Sequence, residues 1–181
     1  MIFSPTPLSG SYTIELEPFE DERGWFARFY CKKEFQQIGH KAEWVQMNHS
    51  FTSEQAVIRG MHFQLYPYSE TKMVRCIAGE VYDVIIDLRK DSPTFLQWFG
   101  IELSAKNKKA LYIPDGFAHG FQTLADNTEL IYHHTAYYMP ESESGIRYDD
   151  PAISVQWPLP VSTLSNRDAH HLYIDQNFKG L

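Results

Sequence analysis

The chain has 181 residues, 43% hydrophobic and 22% charged, enough to bury a core without disulfides or metal, and we expect one domain over residues 1–181. A formal charge of −7 argues against a broad basic footprint for nucleic acid, so an anionic ligand requires a local convergence of Arg and Lys. Only Cys31 and Cys76 carry thiols, "MIFSPTPLSG" has no basic-then-apolar leader, and no apolar run approaches the roughly 18–20 residues of a bilayer span, which together predict a soluble, cytoplasmic protein with no membrane partner.

Aromatic residues, at 15%, favour a sheet-rich fold or a ring-lined pocket. "SYTIELEPF" alternates as a strand, and "DERG" supplies a turn through Asp21 and Gly24. "CKKEFQQIG" predicts a short helix, with Phe35 and Ile38 three apart and Gly39 as its stop. From about residue 44 short strands follow one another: "EWVQMNHSF", "AVIRGMHFQ", "KMVRCI" and "VYDVIIDLR". Ala78-Gly79-Glu80 predicts a hairpin between the last two. In "VYDVIIDLR", Val84, Ile86 and Leu88 share one face, and Asp83 and Asp87 share the other. "QWFGIEL", "KALYIP" and "ELIYHHTAYY" complete the series, which predicts an all-β protein, a closed or two-layered antiparallel fold with few helices. The tail from Trp157 lacks a period and is expected to cover one end of the barrel.

Residues capable of chemistry fall in five places. In "RGMHFQ", strand alternation sets Arg59, Met61 and Phe63 on one face, with Ile58, Gly60, His62 and Gln64 on the other. Arg59 can join His62 only through a twist or bulge at Gly60. Lys72 opens "KMVRC", where a solvated edge lysine is the ordinary reading; in "IPDGFAHGF", Pro114 and Gly116 form a turn that aims His119. Tyr132 in "LIYHHT" is a strand phenol, and Asp168 in "LSNRDAHH" reads on its own as a turn or cap aspartate. Together they offer an imidazole base, a carboxylate to orient it, a lysine and a phenol acid, the groups needed to move a carbon-bound proton beside a carbonyl. A metal site is under-supplied: His62 and His119 give two imidazoles without a third ligand, and the adjacent histidines of "YHHT" and "AHHL" point to opposite faces. Nothing matches a nucleophile elbow, a Walker loop or a dinucleotide fingerprint.

The ordered motifs "DERGWFARF", "QMNHS", "IRGMHFQ", "TKMVRCIAGEVYDVIIDLRKDSPTF", "YIPDGFAHGFQTLAD", "ESGIRYDDP", "VQW" and "LSNRD" resemble the sugar-nucleotide 3,5-epimerases typified by dTDP-4-dehydrorhamnose 3,5-epimerase, over roughly residues 10 to 170. The resemblance implies a cupin-type β jelly roll (a double-stranded β-helix) with short flanking helices, a homodimer, and no metal or organic cofactor. It implies a nucleotide-diphosphate 4-keto-6-deoxyhexose substrate inverted at C3, C5 or both. His62 then corresponds to the base, Asp168 to its dyad partner, Tyr132 to the acid on the opposite face and Lys72 to the group near the 4-keto oxygen. Arg23, Phe26, Arg28, Gln46, Asn48, Arg59, His119, Glu143 and Arg167 fall on positions that hold the nucleotide or the sugar. Two positions depart from the family pattern: Arg28 stands where a glutamate is usual, and Arg167 where a lysine is. Other readings are an epimerase acting on one carbon or another nucleotide, a metal-dependent cupin, and a non-catalytic cupin that binds a small ligand.

Overall fold

The computed structural model describes residues 1–181. In chain order its strands are β1 (Ile2–Pro5), β2 (Tyr12–Glu15), β3 (Phe19–Asp21), β4 (Gly24–Phe26), β5 (Gln46–Thr52), β6 (Ile58–Gln64) and β7 (Lys72–Ala78). They continue as β8 (Glu80–Asp87), β9 (Trp98–Ser104), β10 (Ala110–Ile113), β11 (Phe117–Thr123), β12 (Thr128–His134) and β13 (Glu143–Gly145). Two short helices flank them: α1 (Lys32–Phe35), prolonged by a 3-10 turn over Gln36–Ile38, and α2 (Asn166–Ala169).

The strands form a six-stranded sheet in the order β1-β2-β10-β7-β12-β5 and a five-stranded sheet in the order β13-β6-β11-β8-β9, with β3 and β4 as a separate hairpin. Alternating apolar residues hold the two large sheets together. Val74, Cys76, Leu111, Ile113 and Leu130 from the first meet Val81, Ile85, Leu103, Phe117 and Phe121 from the second in one buried cluster. On the outer face of the first sheet, Ile14, Met73 and Tyr112 pack under Phe35 of α1, as the spacing of the helix requires. This is the two-sheet jelly roll that the resemblance implies.

Two expectations are corrected. Ala78-Gly79-Glu80 is not a hairpin turn: β7 pairs with β10 and β12, whereas β8 pairs with β9 and β11 in the other sheet. Gly79 is thus a corner where the chain crosses between sheets, and a β-carbon there would lie 2.3 Å from Thr128 Oγ1. The tail covers an end of the barrel only in part: residues 163–168 return to the mouth of the cleft there. Trp157, Ile174 and Phe178, with Val155 just before them, instead cover the outer face of the second sheet, over Met61, Val84, Ile86 and Leu88. The face assigned to Val84, Ile86 and Leu88 is therefore buried under the tail, while Ile85 faces the inter-sheet core.

Candidate active site

At one end of the barrel the apolar filling gives way to a cleft of about 560 Å³ lined from both sheets and from the returning tail. Strand alternation explains most of the lining. In β7, Lys72 shares the inward face of Val74 and Cys76; in β12, Tyr132 and His134 follow Leu130 inward; in β11, His119 lies between the inward Phe117 and Phe121.

The exception is β6. His119 of β11 pairs with His62, but Phe121, two residues on, pairs with Arg59, three residues back. The extra residue is a β-bulge, and it brings Arg59 and His62 onto the cleft face together while Met61 stays in the outer core, where Phe63 also packs at the margin of the cleft. Gly60 makes this crossing possible: its φ is +131°, and a β-carbon there would lie 2.5 Å from the α-carbon of Gly120.

His62 Nε2–H donates to Asp168 Oδ1 at 2.7 Å, and the Gly60 amide donates to Asp168 Oδ2 at 3.2 Å. Asp168 reaches the strand because α2 begins there: the Ser165 hydroxyl caps the helix by accepting the Asp168 N–H. Burial alone would raise the Asp168 carboxyl, but the His62 hydrogen bond and charge and the Gly60 amide outweigh it and hold the group down at about 2. With Nε2 held on this carboxylate, Nδ1 carries the imidazole lone pair. His171 also packs here, its ring 5.6 Å from that of His62 and its Nε2 3.6 Å from Asp168 Oδ1.

The first sheet presents a different set. Tyr132 is stacked on His134, and its hydroxyl lies 3.0 Å from Ser50 Oγ. Burial pushes the phenol above its ordinary range, so it remains an O–H donor at neutral pH. Lys72 Nζ lies 3.1 Å from Glu70 Oε1, and His134 Nδ1–H donates to Glu70 Oε2 at 2.7 Å. Burial works against the Glu70 charge, but His134 and Lys72 prevail and lower its pKa, keeping it a carboxylate. The His119 ring lies 6.4 Å from that of Tyr132, and His119 is the cross-strand partner of His62. Tyr132 thus faces the His62–Asp168 pair across the barrel.

Around this centre, His119 Nε2 bonds both oxygens of Asp83 at 3.0 Å. Arg59 is held by Thr52 Oγ1 and the Phe51 carbonyl at 3.0 and 3.2 Å. At the mouth, Glu143 accepts from Arg167 at 2.7 Å and from the Tyr138 hydroxyl at 2.8 Å. Asn48 lines the wall with its amide 3.3 Å from His134 Nε2.

Nine of the thirteen residues singled out from sequence therefore line one cleft. Gln46 stands just behind it, bonded to Asn48 and to the Tyr138 amide. Arg23, Phe26 and Arg28 lie apart from it within this chain. Arg23 and Phe26 ride on the projecting β3–β4 hairpin, where Phe26 is 73% exposed and Arg23 pairs only with its neighbour Asp21. Arg28 is spent on Glu34, 2.9 Å away. Sequence reasoning did not select Ser50, Glu70, His134 or His171. The i, i+2 spacing from Tyr132 pointed to His134, and that from Glu70 to Lys72 was equally visible. No local pattern brought His171 to His62.

A profile of the family described as dTDP-4-dehydrorhamnose 3,5-epimerase matches residues 5–176. The chain is 46% identical over 178 residues to the dTDP-4-dehydrorhamnose 3,5-epimerase of Salmonella typhimurium, covering 97% of each. It superimposes with a TM-score of 0.92 on the Bacillus anthracis enzyme of that name with TDP and PPi bound, at 39% identity, covering 96% of this chain and 99% of the other. A Legionella pneumophila dTDP-6-deoxy-D-glucose-3,5-epimerase in complex with dTDP-4-keto-L-rhamnose gives a TM-score of 0.90 at 39% identity, covering 95% and 92%.

Proposed function

The chain belongs to the dTDP-4-dehydrorhamnose 3,5-epimerase family and is an isomerase of that class; from that premise we propose how its cleft inverts a sugar carbon. The substrate is a dTDP-linked 4-dehydro-6-deoxyhexose, in which the 4-keto group acidifies the protons on C3 and C5. His62 Nδ1 takes the proton, and Asp168 on Nε2 holds the ring and stabilises the imidazolium that forms.

The electrons move onto the 4-keto oxygen. Lys72 meets this enolate: one of its three N–H bonds goes to Glu70, which leaves two to donate where charge develops. Inversion then requires a proton from the opposite face, because return from His62 restores the starting configuration. Tyr132 supplies it, and the Ser50 hydroxyl can donate to the phenolate left behind.

The observation that supports the reading is that His62 on β6 and Tyr132 on β12 stand on facing sheets across one cleft. Asn48, His119, Glu143 and Arg167 line the sugar and nucleotide path, and the diphosphate is met by Arg59, whose planar fork suits phosphate oxygens. We place Arg23 and Phe26 at the same substrate through a homodimer. The exposed Phe19, Trp25 and Phe26 of the β3–β4 hairpin are a surface that a second copy covers, carrying Arg23 into its neighbour's cleft.

The test is incubation of the dTDP-linked 4-keto sugar with enzyme in deuterated water, followed by NMR. Deuterium at C3 and C5 with inverted product is expected. Absence of exchange at both carbons would overturn the assignment, and exchange at one carbon would narrow it to single inversion.

A further inference from the structure

We propose that His62, Asp168 and His171 form a binding site for a borderline divalent cation of the Zn²⁺ class, and that occupation of this site switches the base off. The proposal rests on the assignment of His62 as the base only for its effect on activity; the site itself stands on geometry.

One ring nitrogen each of His62 and His171 and a carboxylate oxygen of Asp168 all lie within 4.8 Å of one another. Two imidazole nitrogens and one carboxylate oxygen are the donors that suit zinc and its neighbours. Metal–ligand bonds of about 2.0–2.2 Å place the donors of a tetrahedral site roughly 3.3–3.5 Å apart. The two separations to Asp168 Oδ1 are 2.7 Å from His62 and 3.6 Å from His171, which straddle that value. A small rotation of each ring therefore makes room for an ion, and the cleft offers its water as a fourth ligand.

His171 is the residue that makes this a site. Its Nε2 is buried yet has no hydrogen-bond partner, an arrangement that costs free energy unless something fills it. A β-carbon at position 145 would lie 2.4 Å from that nitrogen, so only the glycine present there admits the ring. Arg167 opposes a cation, its guanidinium 3.3 Å from His62 Nε2 and 3.6 Å from Asp168 Oδ1, so it must swing aside for an ion to enter. Its side chain is half-exposed and is paired with Glu143 at 2.7 Å, and the two carboxylates with one guanidinium leave a net negative centre.

The effect on catalysis follows from the two ring nitrogens. An ion on His62 Nε2 replaces the hydrogen bond to Asp168 and drives the ring proton onto Nδ1. The imidazole then has no lone pair left to accept a proton from the sugar.

The experiment uses metal-free full-length protein. Equilibrium dialysis against Zn²⁺ should retain one ion per chain, and Co²⁺ in its place should show the intense visible bands of a four-coordinate site. Zn²⁺ should suppress deuterium wash-in at saturating substrate, reversibly on adding EDTA. His171→Gln should lose Zn²⁺ affinity in dialysis by at least about tenfold, and His171→Cys, which restores a ligand, should regain it. If wild type retains no Zn²⁺, or if His171→Gln is inhibited as strongly as wild type, the site is wrong. A protein that shows no wash-in even without metal contradicts the assigned reaction instead, and the dialysis and Co²⁺ spectra still decide the site.

Discussion

Replacing Asp168 by Asn removes one charge while keeping nearly the same shape, and the consequence can be worked from the site. Folding lowers the carboxyl from 3.8 to about 2, against its burial and because of His62 and the Gly60 amide. A shift of nearly two units at about 1.36 kcal/mol each is worth about 2 kcal/mol of folding free energy. The sign follows from the direction: a depressed folded pKa stabilises the protein above the unfolded value near 4, and that gain fades as pH falls towards about 2. Asp168→Asn should therefore be about 2 kcal/mol less stable than wild type at pH 6, about half that at pH 3, and nearly equal to it near pH 2. Urea unfolding of both proteins across this range measures the difference directly. Turnover should fall about 10²–10⁴-fold, because an amide neither fixes the imidazole tautomer nor stabilises the imidazolium. A stability difference that does not change with pH would refute the reasoning, since the loss would then be one of packing rather than of charge.

Tyr132→Phe should retain exchange of carbon-bound hydrogen in deuterated water while slowing formation of inverted product about 10²–10⁴-fold; equal loss of both would assign Tyr132 to binding. Because burial raises the phenol above its ordinary value of about 10, the basic limb of the pH–rate profile should not report tyrosine ionisation below about pH 10. Gly60→Ala places a β-carbon 2.5 Å from the Gly120 α-carbon at a φ of +131°. A cost of about 2–5 kcal/mol in thermal or denaturant unfolding is expected, with loss of activity as the bulge relaxes. Arg23→Ala and His62→Ala chains, each inactive alone, should recover about a quarter of wild-type turnover when refolded together, because a mixed dimer rebuilds one complete cleft; no recovery would place Arg23 in its own chain's site.

The side-chain faces of the strands were legible before any coordinates, because a strand's period of two is local. Val84, Ile86 and Leu88 separate from Asp83 and Asp87 by counting alone, and Phe35 with Gly39 marks the short helix. The family was legible as well, through motif order and identity rather than through any one residue, and with it the four side chains proposed for proton transfer. His62, Tyr132, Lys72 and Asp168 do converge on one cleft.

Strand pairing was not legible, because a turn sequence does not specify its partner. Ala78-Gly79-Glu80 reads as a hairpin, yet the hydrogen bonds of β7 and β8 go to opposite sheets. Arg59 joins His62 only because Gly60 crosses Gly120 closely enough to insert a bulge, a contact between residues 60 positions apart in the chain. His171 was set aside as half of an adjacent histidine pair; it lies three residues from Asp168, but it meets His62 only after α2 turns the tail back onto β6. Periodicity and residue chemistry are short-range and survive in a linear string. Which catalytic groups share a face, and which lone imidazole stands behind them, depends on backbone approaches that exist only once the sheets have closed.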